Sequence, residues 1–270
     1  MSSAKNGPVE TINISVTGQD LTDNATFIEW AEHLWKTKEG PYSLAAGSAA
    51  AWLSLQDVAP DNWESIADEF AAQDPATYLP DDIHPDVLKG YAAQHKLYAS
   101  ALRSNNTTVY QSYLSGTFQP GTGWTLMQQV SRGSISINVT DPSGSEPVID
   151  HRVFSNPTDK KIFLELARFT MKYYLTAPGV KEQGAKYGID VDDYDALEKW
   201  TDQNAKPTEA HPVGTCAMMP RGLGGVVGED LLVYGVKRLS VVDASVIPMV
   251  PGTPILATVY AVAEKVSRQI

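Results

Sequence analysis

The C-terminal stretch of the chain carries the pattern that most constrains its fold. A histidine lies in a turn rich in proline and glycine, His211–Thr215. The apolar run Leu239–Val242 ends in Asp243–Ser245, which predicts a buried strand closed by a polar turn. Thr253 and Pro254 precede an apolar helical pattern, as expected of a capping hydroxyl with proline at the first helical position. This end of the chain therefore predicts a strand and a helix that pack together.

The rest of the chain changes from helical to β-type patterning and back again. Helical spacing predicts helices over residues 22–37, 61–73, 85–103, 158–175 and 190–200. Glycines separate short β-type runs at Tyr110–Phe118, Trp124–Ser131, Ser134–Val139 and Pro147–Ile149, and a further short strand is predicted at 11–16. The pattern therefore predicts an α+β fold, with a mainly antiparallel sheet over about residues 110–150 and helices around it.

Local signals predict where helices begin and which face of the sheet is buried. The pair Asp61 and Glu64 has capping-box spacing, and His84 and Asn156 each precede a proline that suits a first helical turn. One strand alternates strictly between apolar and polar residues, which predicts one buried and one wet face; its apolar residues are Ile135, Ile137 and Val139.

Composition excludes several classes of function. The chain has 270 residues, 43% of them hydrophobic, which suits one large or two modest globular domains. Its net charge of −11 argues against a nucleic-acid or anionic-membrane surface, since both need basic patches. The single cysteine, Cys216, excludes an intrachain disulfide. No apolar run approaches the roughly 18 residues of a membrane span, and no set of ligating residues has metal-site spacing.

The N-terminal residues lack the apolar core of a signal peptide, so the chain as written is expected to stay inside the cell. Five Asn-x-Ser/Thr sites nevertheless fit descent from a secreted ancestor, at Asn13, Asn24, Asn105, Asn106 and Asn138.

Three C-terminal segments, HPVGTCAM, GGVVGEDLLVYGVKRLSVVDASVIP and TVYAVAEK, occur in this order and resemble the signature of the glucose–methanol–choline (GMC) family of FAD-dependent oxidoreductases. The segment SRGSISINVTDPSGSEPVIDHRVFSNPTD is similar to the sheet of that family's substrate domain. The resemblance implies a substrate-binding domain over 1–205. It also implies that 206–270 contribute the C-terminal strand and helix portion of a flavin-binding domain.

The resemblance also implies site residues. In that family the histidine of the matching motif takes the hydroxyl proton while hydride leaves for the flavin, which implies this role for His211. A second polar residue, histidine or asparagine, usually stands at the start of the last helix, where this chain has Pro254. The resemblance places Asp243, Ala244 and Ile255, together with Pro254, at the FAD cofactor. The residues alone equally favour an Asp243 carboxylate that hydrogen-bonds its own turn.

One part of a flavin site is missing from the sequence. A dinucleotide site needs a strand, then G-x-G-x-x-G, then a helix that faces the pyrophosphate, and this motif occurs nowhere in the chain. The glycines at 222, 224 and 225 do not form it. Because family members are about twice as long and carry the motif near their N-terminus, the chain resembles their C-terminal half. A missing N-terminal half or self-association is expected to cover an apolar patch beside Ile255, Leu256 and Val259.

Three functions follow as hypotheses. The first is oxidation of the CH–OH group of a small alcohol or sugar with FAD as cofactor. The second is an inactive fragment or pseudoenzyme that binds a ligand or partner without turnover. The third is a lyase or cyclase on the same flavin scaffold.

Overall fold

The structure is a computed structural model that describes residues 3–4, 20–44, 49–114, 123–141, 143–178, 181, 187–208 and 210–267. Its helices are α1 (Asp20–Asp23), α2 (Ala25–Trp35), α3 (Leu55–Val58), α4 (Trp63–Ala71), α5 (Pro85–Leu102), α6 (Pro157–Thr176), α7 (Tyr194–Asn204) and α8 (Leu256–Ser267). Its strands are β1 (Ser3–Ala4), β2 (Ala49–Leu53), β3 (Tyr110–Leu114), β4 (Trp124–Leu126), β5 (Ser134–Ser136), β6 (Val148–Asp150) and β7 (Ala205–Lys206). The α+β class is confirmed, and α2, α4, α5, α6 and α7 occupy the predicted helical regions. The strand predicted at 11–16 lies outside the described residues.

Five of the strands form one antiparallel sheet in the order β2-β3-β4-β1-β7. Leu53 pairs with Tyr110, and Ser112 pairs with Trp124. Strand β2 lies in an alanine-rich stretch that carries no strand signal of its own. Its conformation is decided by pairing with β3, because strand preference depends on neighbouring strands more than on residue type.

The main core fills the space between this sheet and the helices that cover it. Trp124 of β4 stacks on Trp200 of α7 at a centroid distance of 5.8 Å, and it packs against Phe163 of α6 at 6.3 Å. Ile162 and Leu166 of α6 are fully buried. The apolar stripe of α6 is therefore core, as its helical spacing predicts.

Side-chain caps explain most helix starts and correct two predictions. His84 Nδ1 accepts from the N–H of Asp86, and Asn156 Oδ1 accepts from that of Thr158, so both predicted starts are confirmed. The capping box predicted at Asp61 is wrong: α4 begins at Trp63 without a side-chain cap, and the amide nitrogen of the neighbouring Asn62 donates to Glu165 at 2.7 Å. Helix α7 begins four residues after Asp190, because the side chain of Asp193 caps it.

Strands β5 and β6 form a separate two-stranded sheet, with Ile135 opposite Ile149. The prediction that its apolar face is buried is wrong, since Ile137 is 77% and Val139 89% exposed. Alternation determines which side chains share a face, but a neighbouring element must cover that face, and none of the described residues does so.

In the C-terminal unit, residues 210–267, the structure differs from the buried strand predicted at Leu239–Val242. This segment forms only an isolated antiparallel bridge, between Leu232 and Ser240, and Leu239 is 48% exposed. A strand that is buried inside a sheet needs a neighbouring strand on each edge and packed elements on each face. The described residues supply one short strand partner. The segment does pack with the last helix as predicted, since its valines join a small core of Val227, Leu231, Val246, Val262 and Val266.

Helix α8 begins at Leu256, two residues after Pro254, so Pro254 and Thr253 are not its first turn and cap as predicted. Its outer face is open, with Leu256 66% and Tyr260 70% exposed. Among the helices described, none is long and apolar enough to cross a membrane.

Helix α5 lies very close to the loop that carries the glycines at 222, 224 and 225, here called the glycine-rich loop. A Cβ added at Gly90 would overlap the carbonyl oxygen of Leu223, and one added at Gly224 would lie 2.8 Å from Cα of Val87. Gly224 also has a φ of +76°, which favours glycine. Two glycines on opposite sides of the interface therefore allow backbone to pack on backbone.

We expect Gly90→Ala to destabilise the chain by about 1–3 kcal/mol, since the added methyl forces helix α5 away from the loop. The same change in a free helix would stabilise by about 0.5–1 kcal/mol. Urea unfolding of both proteins measures the difference. Gly222→Ala is the matched control, because a Cβ there meets nothing within 4 Å; equal stability of all three proteins would contradict the close approach.

Candidate active site

His211 lies in an irregular segment between Ala210 and Pro212 and is half-buried. Ala210 has a φ of +60°, a conformation that non-glycine residues adopt at a cost. The Nδ1 atom of His211 is buried and finds no hydrogen-bond partner among the described residues. A group from a ligand or another chain segment would satisfy this buried nitrogen.

The segment after His211 is fixed to the turn at Asp243–Ser245. The N–H of Cys216 donates to the carbonyl of Ser245 at 3.0 Å, and that of Met218 donates to the carbonyl of Val246 at 2.9 Å. Gly214, with a φ of +86°, brings the segment against the backbone that follows, where an added Cβ would lie 3.4 Å from the Ile247 carbonyl oxygen. The two motifs are therefore in contact, as a shared site requires.

A small apolar cluster joins all the predicted site segments. Met127, Ile247 and Ile255 are its buried members. The residues packed against it include Val213, two positions after His211, and Ala244. The structure thus brings the surroundings of His211, Ala244 and Ile255 to one place, although Met127 was not predicted because it comes from the distant loop after β4.

Asp243 organises its own turn. Its carboxylate accepts hydrogen bonds from the N–H of Ser245 at 2.8 Å and from the Ser245 hydroxyl, and the 3₁₀ turn Ala244–Val246 follows. This geometry matches the reading of Asp243 taken from the residues alone. The backbone N–H groups of Asp243 and Ala244 donate to no other described residue, so they are available to a ligand.

Pro254 is half-buried and lies next to the buried Ile255. Proline has neither a side-chain donor nor an N–H, so it offers a substrate no hydrogen bond except through its carbonyl. Of the predicted site residues, His211 and Asp243 therefore carry the polar side chains.

The glycine-rich loop is used for packing rather than for binding phosphate. Gly224 contacts Val87 of α5, and a Cβ on Gly225 would overlap the Met219 carbonyl. The described part of the chain contains no group of three ligating side chains that could hold a metal ion.

Buried charges support the loop that carries Met127. The carboxylate of Asp159, in the first turn of α6, accepts from the N–H groups of Val130 at 2.9 Å and Ser131 at 2.7 Å. Burial raises the pKa of Asp159, opposed by these hydrogen bonds and by the positive charge of Arg132. The sequence signal for this anchor is weak, because the prediction of a helix start explains Asp159 equally well.

Comparison with known proteins gives the family. A profile of the GMC oxidoreductase C-terminal region matches residues 129–263. The chain belongs to the GMC oxidoreductase family. Among curated proteins of this kind, dehydrogenase xptC of Emericella nidulans is 34% identical over 219 residues, which are 80% of this chain and 35% of that protein.

Solved structures agree with this family membership. A FAD-dependent oxidoreductase from Chaetomium thermophilum superposes with a TM-score of 0.90 at 26% identity, and a fungal aryl-alcohol oxidase does so with 0.84 at 31%. Each match covers 99% of this chain and 46% of the other. The chain therefore spans less than half the length of these GMC relatives.

We expect Asp243→Ala to destabilise the protein by about 0.5–2 kcal/mol, since the substitution removes the acceptor for Ser245. Asp243→Asn keeps a side-chain oxygen in the same place and should cost a few tenths of a kcal/mol at most. Thermal unfolding of the three proteins measures the difference. If alanine and asparagine are equally tolerated, the turn does not depend on this carboxylate.

Proposed function

We propose that this chain forms the substrate-facing half of a FAD-dependent oxidoreductase that acts on CH–OH groups of small alcohols or sugars. The observation that carries the proposal is the half-buried His211, whose segment is hydrogen-bonded to the Asp243–Ser245 turn and packed on the cluster of Met127, Ile247 and Ile255. The likeness to a fungal aryl-alcohol oxidase supports the choice of an alcohol.

In this proposal His211 accepts the proton of the substrate hydroxyl. Histidine suits this step because its ordinary titration lies near neutral pH, so it can take and return a proton. A flavin bound beside these residues would supply the acceptor for the hydride that leaves the substrate carbon. The apolar side chains of the Met127 cluster exclude water from one side of the reacting carbon.

The described residues fit one wall of a flavin site. The free N–H groups of Asp243 and Ala244 suit hydrogen-bond acceptors on the flavin, and Pro254 and Ile255 supply an apolar neighbour. They do not fit the pyrophosphate, because this sequence has no G-x-G-x-x-G motif and its glycine-rich loop packs against α5. We therefore assign the pyrophosphate site to a further FAD-binding segment, with the domain boundary in this chain near residues 205–206.

Exposed apolar side chains support a partner of this kind. Leu239, Leu256 and Tyr260 are all largely exposed beside the small valine core of the C-terminal unit. In the proposal, the remaining strands of the flavin-binding fold cover this surface, and self-association covers it in their absence.

An inactive, ligand-binding fragment is the second candidate function. It is favoured by Pro254, which stands where the family usually has histidine or asparagine, and by the missing glycine motif.

We expect the chain alone to bind FAD weakly. Three absent charge-assisted hydrogen bonds to pyrophosphate, at roughly 1.5–3 kcal/mol each, weaken binding by about three to six powers of ten. Fluorescence titration with FAD measures the affinity, first for the chain alone and then for the chain assembled with the FAD-binding half of a GMC relative. Micromolar or tighter binding by the chain alone would contradict this assignment of the pyrophosphate site.

In the assembled protein we expect His211→Ala to reduce alcohol-dependent dye reduction by at least about a hundredfold, because general-base catalysis contributes about 10²–10⁴-fold. His33→Ala, at an exposed position on α2, is the control and should leave the rate unchanged. A rate that His211→Ala does not alter would remove the catalytic role. No turnover by any assembled form, with FAD bound, would favour the inactive candidate.

A further inference from the structure

The segment Pro248–Pro254, here called the proline turn, leads directly to Ile255 and α8. Its sequence, PMVPGTP, contains three prolines, which have no backbone N–H. No backbone–backbone hydrogen bond joins any residue of the proline turn to the described part of the chain. Backbone pairing therefore does not hold this turn in place, and its carbonyl groups need other donors.

Two buried glutamines provide those donors. Gln94 Nε2 on α5 donates to the carbonyl of Pro248 at 2.9 Å, and it also contacts Met219 Sδ at 3.3 Å. Gln128 Nε2, in the loop after β4, donates to the carbonyl of Val250 at 3.3 Å. Both glutamines are less than one-tenth exposed, and the two hydrogen bonds are partly buried.

Arg132 determines which way the Gln94 amide points. Its Nη2 donates to Gln94 Oε1 at 3.2 Å, and its guanidinium lies 5.1 Å from the ring centre of Tyr91 and 5.3 Å from that of Tyr98. Because arginine can only donate, the amide oxygen must face Arg132 and the amide NH₂ must face Pro248. The hydrogen bond from Arg132 thus determines the amide orientation in which Gln94 binds the proline turn.

The other contacts of the proline turn are apolar or steric. Met249 packs against the main core and Val250 against the Met127 cluster. A Cβ added at Gly252 would lie 3.2 Å from Thr108 Cβ, so the backbone passes close to the loop before β3. These contacts limit how far the turn can move, whereas the two hydrogen bonds from the glutamines hold the carbonyls of Pro248 and Val250.

We propose that Gln94 and Gln128 are positioning residues, which hold the proline turn so that Pro254 and Ile255 face the site of His211. The effect of these two glutamines on catalysis rests on the proposed function, whereas their hydrogen bonds to the proline turn do not depend on it. The Gln94 amide connects Arg132 to the Pro248 carbonyl through two hydrogen bonds, so that the substrate-binding part and the last helix keep one fixed relative position.

Amide hydrogen exchange of the full chain tests the hold directly. Gln94→Glu keeps the acceptor for Arg132 but loses the donor to Pro248, Gln94→Met loses both, and Gln128→Met loses the donor to Val250. We expect exchange of the hydrogen-bonded amides that flank the turn, those of Ile247 and Val259, to rise about five- to tenfold in each variant, the effect of losing one buried hydrogen bond. Gln73→Met is the matched control, because Gln73 bonds to Asn156 and Thr158 and not to the turn.

The glutamate variant decides between the two bonds of Gln94. If Gln94→Glu protects the turn as well as wild type does, the pairing with Arg132 matters and the bond to Pro248 does not, which overturns the proposal. Faster exchange across the whole chain, matched by Gln73→Met, also overturns it, since that result reports general loss of stability.

Activity of the assembled flavoprotein separates this proposal from the proposed function. We expect Gln94→Glu to lower kcat for an alcohol by about tenfold with FAD still bound. If the wild-type assembly is inactive but the variants still release the turn, the positioning is supported and the proposed function fails. If the wild type is active and the turn is unaffected, the positioning fails alone.

Discussion

The contact between α5 and the backbone of the C-terminal unit is the interaction on which the rest of the structure depends. Gly90 lets the helix lie directly on the Leu223 carbonyl, and Gly224 accommodates Val87 from the other side. One turn further along α5, Gln94 reaches the Pro248 carbonyl. A single helix therefore contacts both the glycine-rich loop and the proline turn, and the proline turn leads to Ile255 of the candidate active site.

This arrangement explains how loops alone can build a defined site. His211 belongs to no helix or strand, and the segments around it are held by a few backbone bonds, one 3₁₀ turn and the buried Met127, Ile247 and Ile255. Loops of this kind are usually mobile, and catalytic groups need fixed geometry. Side chains such as Gln94, Gln128 and Asp159 connect these loops to one another and to the helices behind them.

Some apolar faces of the molecule are covered by the described residues and others are exposed. Its main core is complete, with Trp124, Phe163 and Tyr98 fully buried. By contrast, the C-terminal unit leaves Leu256 and Tyr260 open, and the β5–β6 sheet leaves Ile137 open. GMC relatives are more than twice as long as the matched region, and under the proposed function further protein of this kind covers these faces. Membership of the family and the part of the fold present here are thus consistent with each other.

By itself the sequence determined the class of the fold, the helices and their caps at His84 and Asn156, the family, and His211 as the residue to examine. These depend on local spacing and on motifs that remain contiguous, which a single chain displays directly. Only the tertiary structure decided that β2 is a strand, that Leu239–Val242 is not one, and that the glycine-rich loop serves packing. It alone decided that Met127 packs with Ile247 and Ile255, and that Gln94 and Gln128 donate to the proline turn. The reason is physical: strand pairing, burial of an apolar face and the partner of an amide all depend on residues distant in sequence, and nothing in local spacing records which of them will meet.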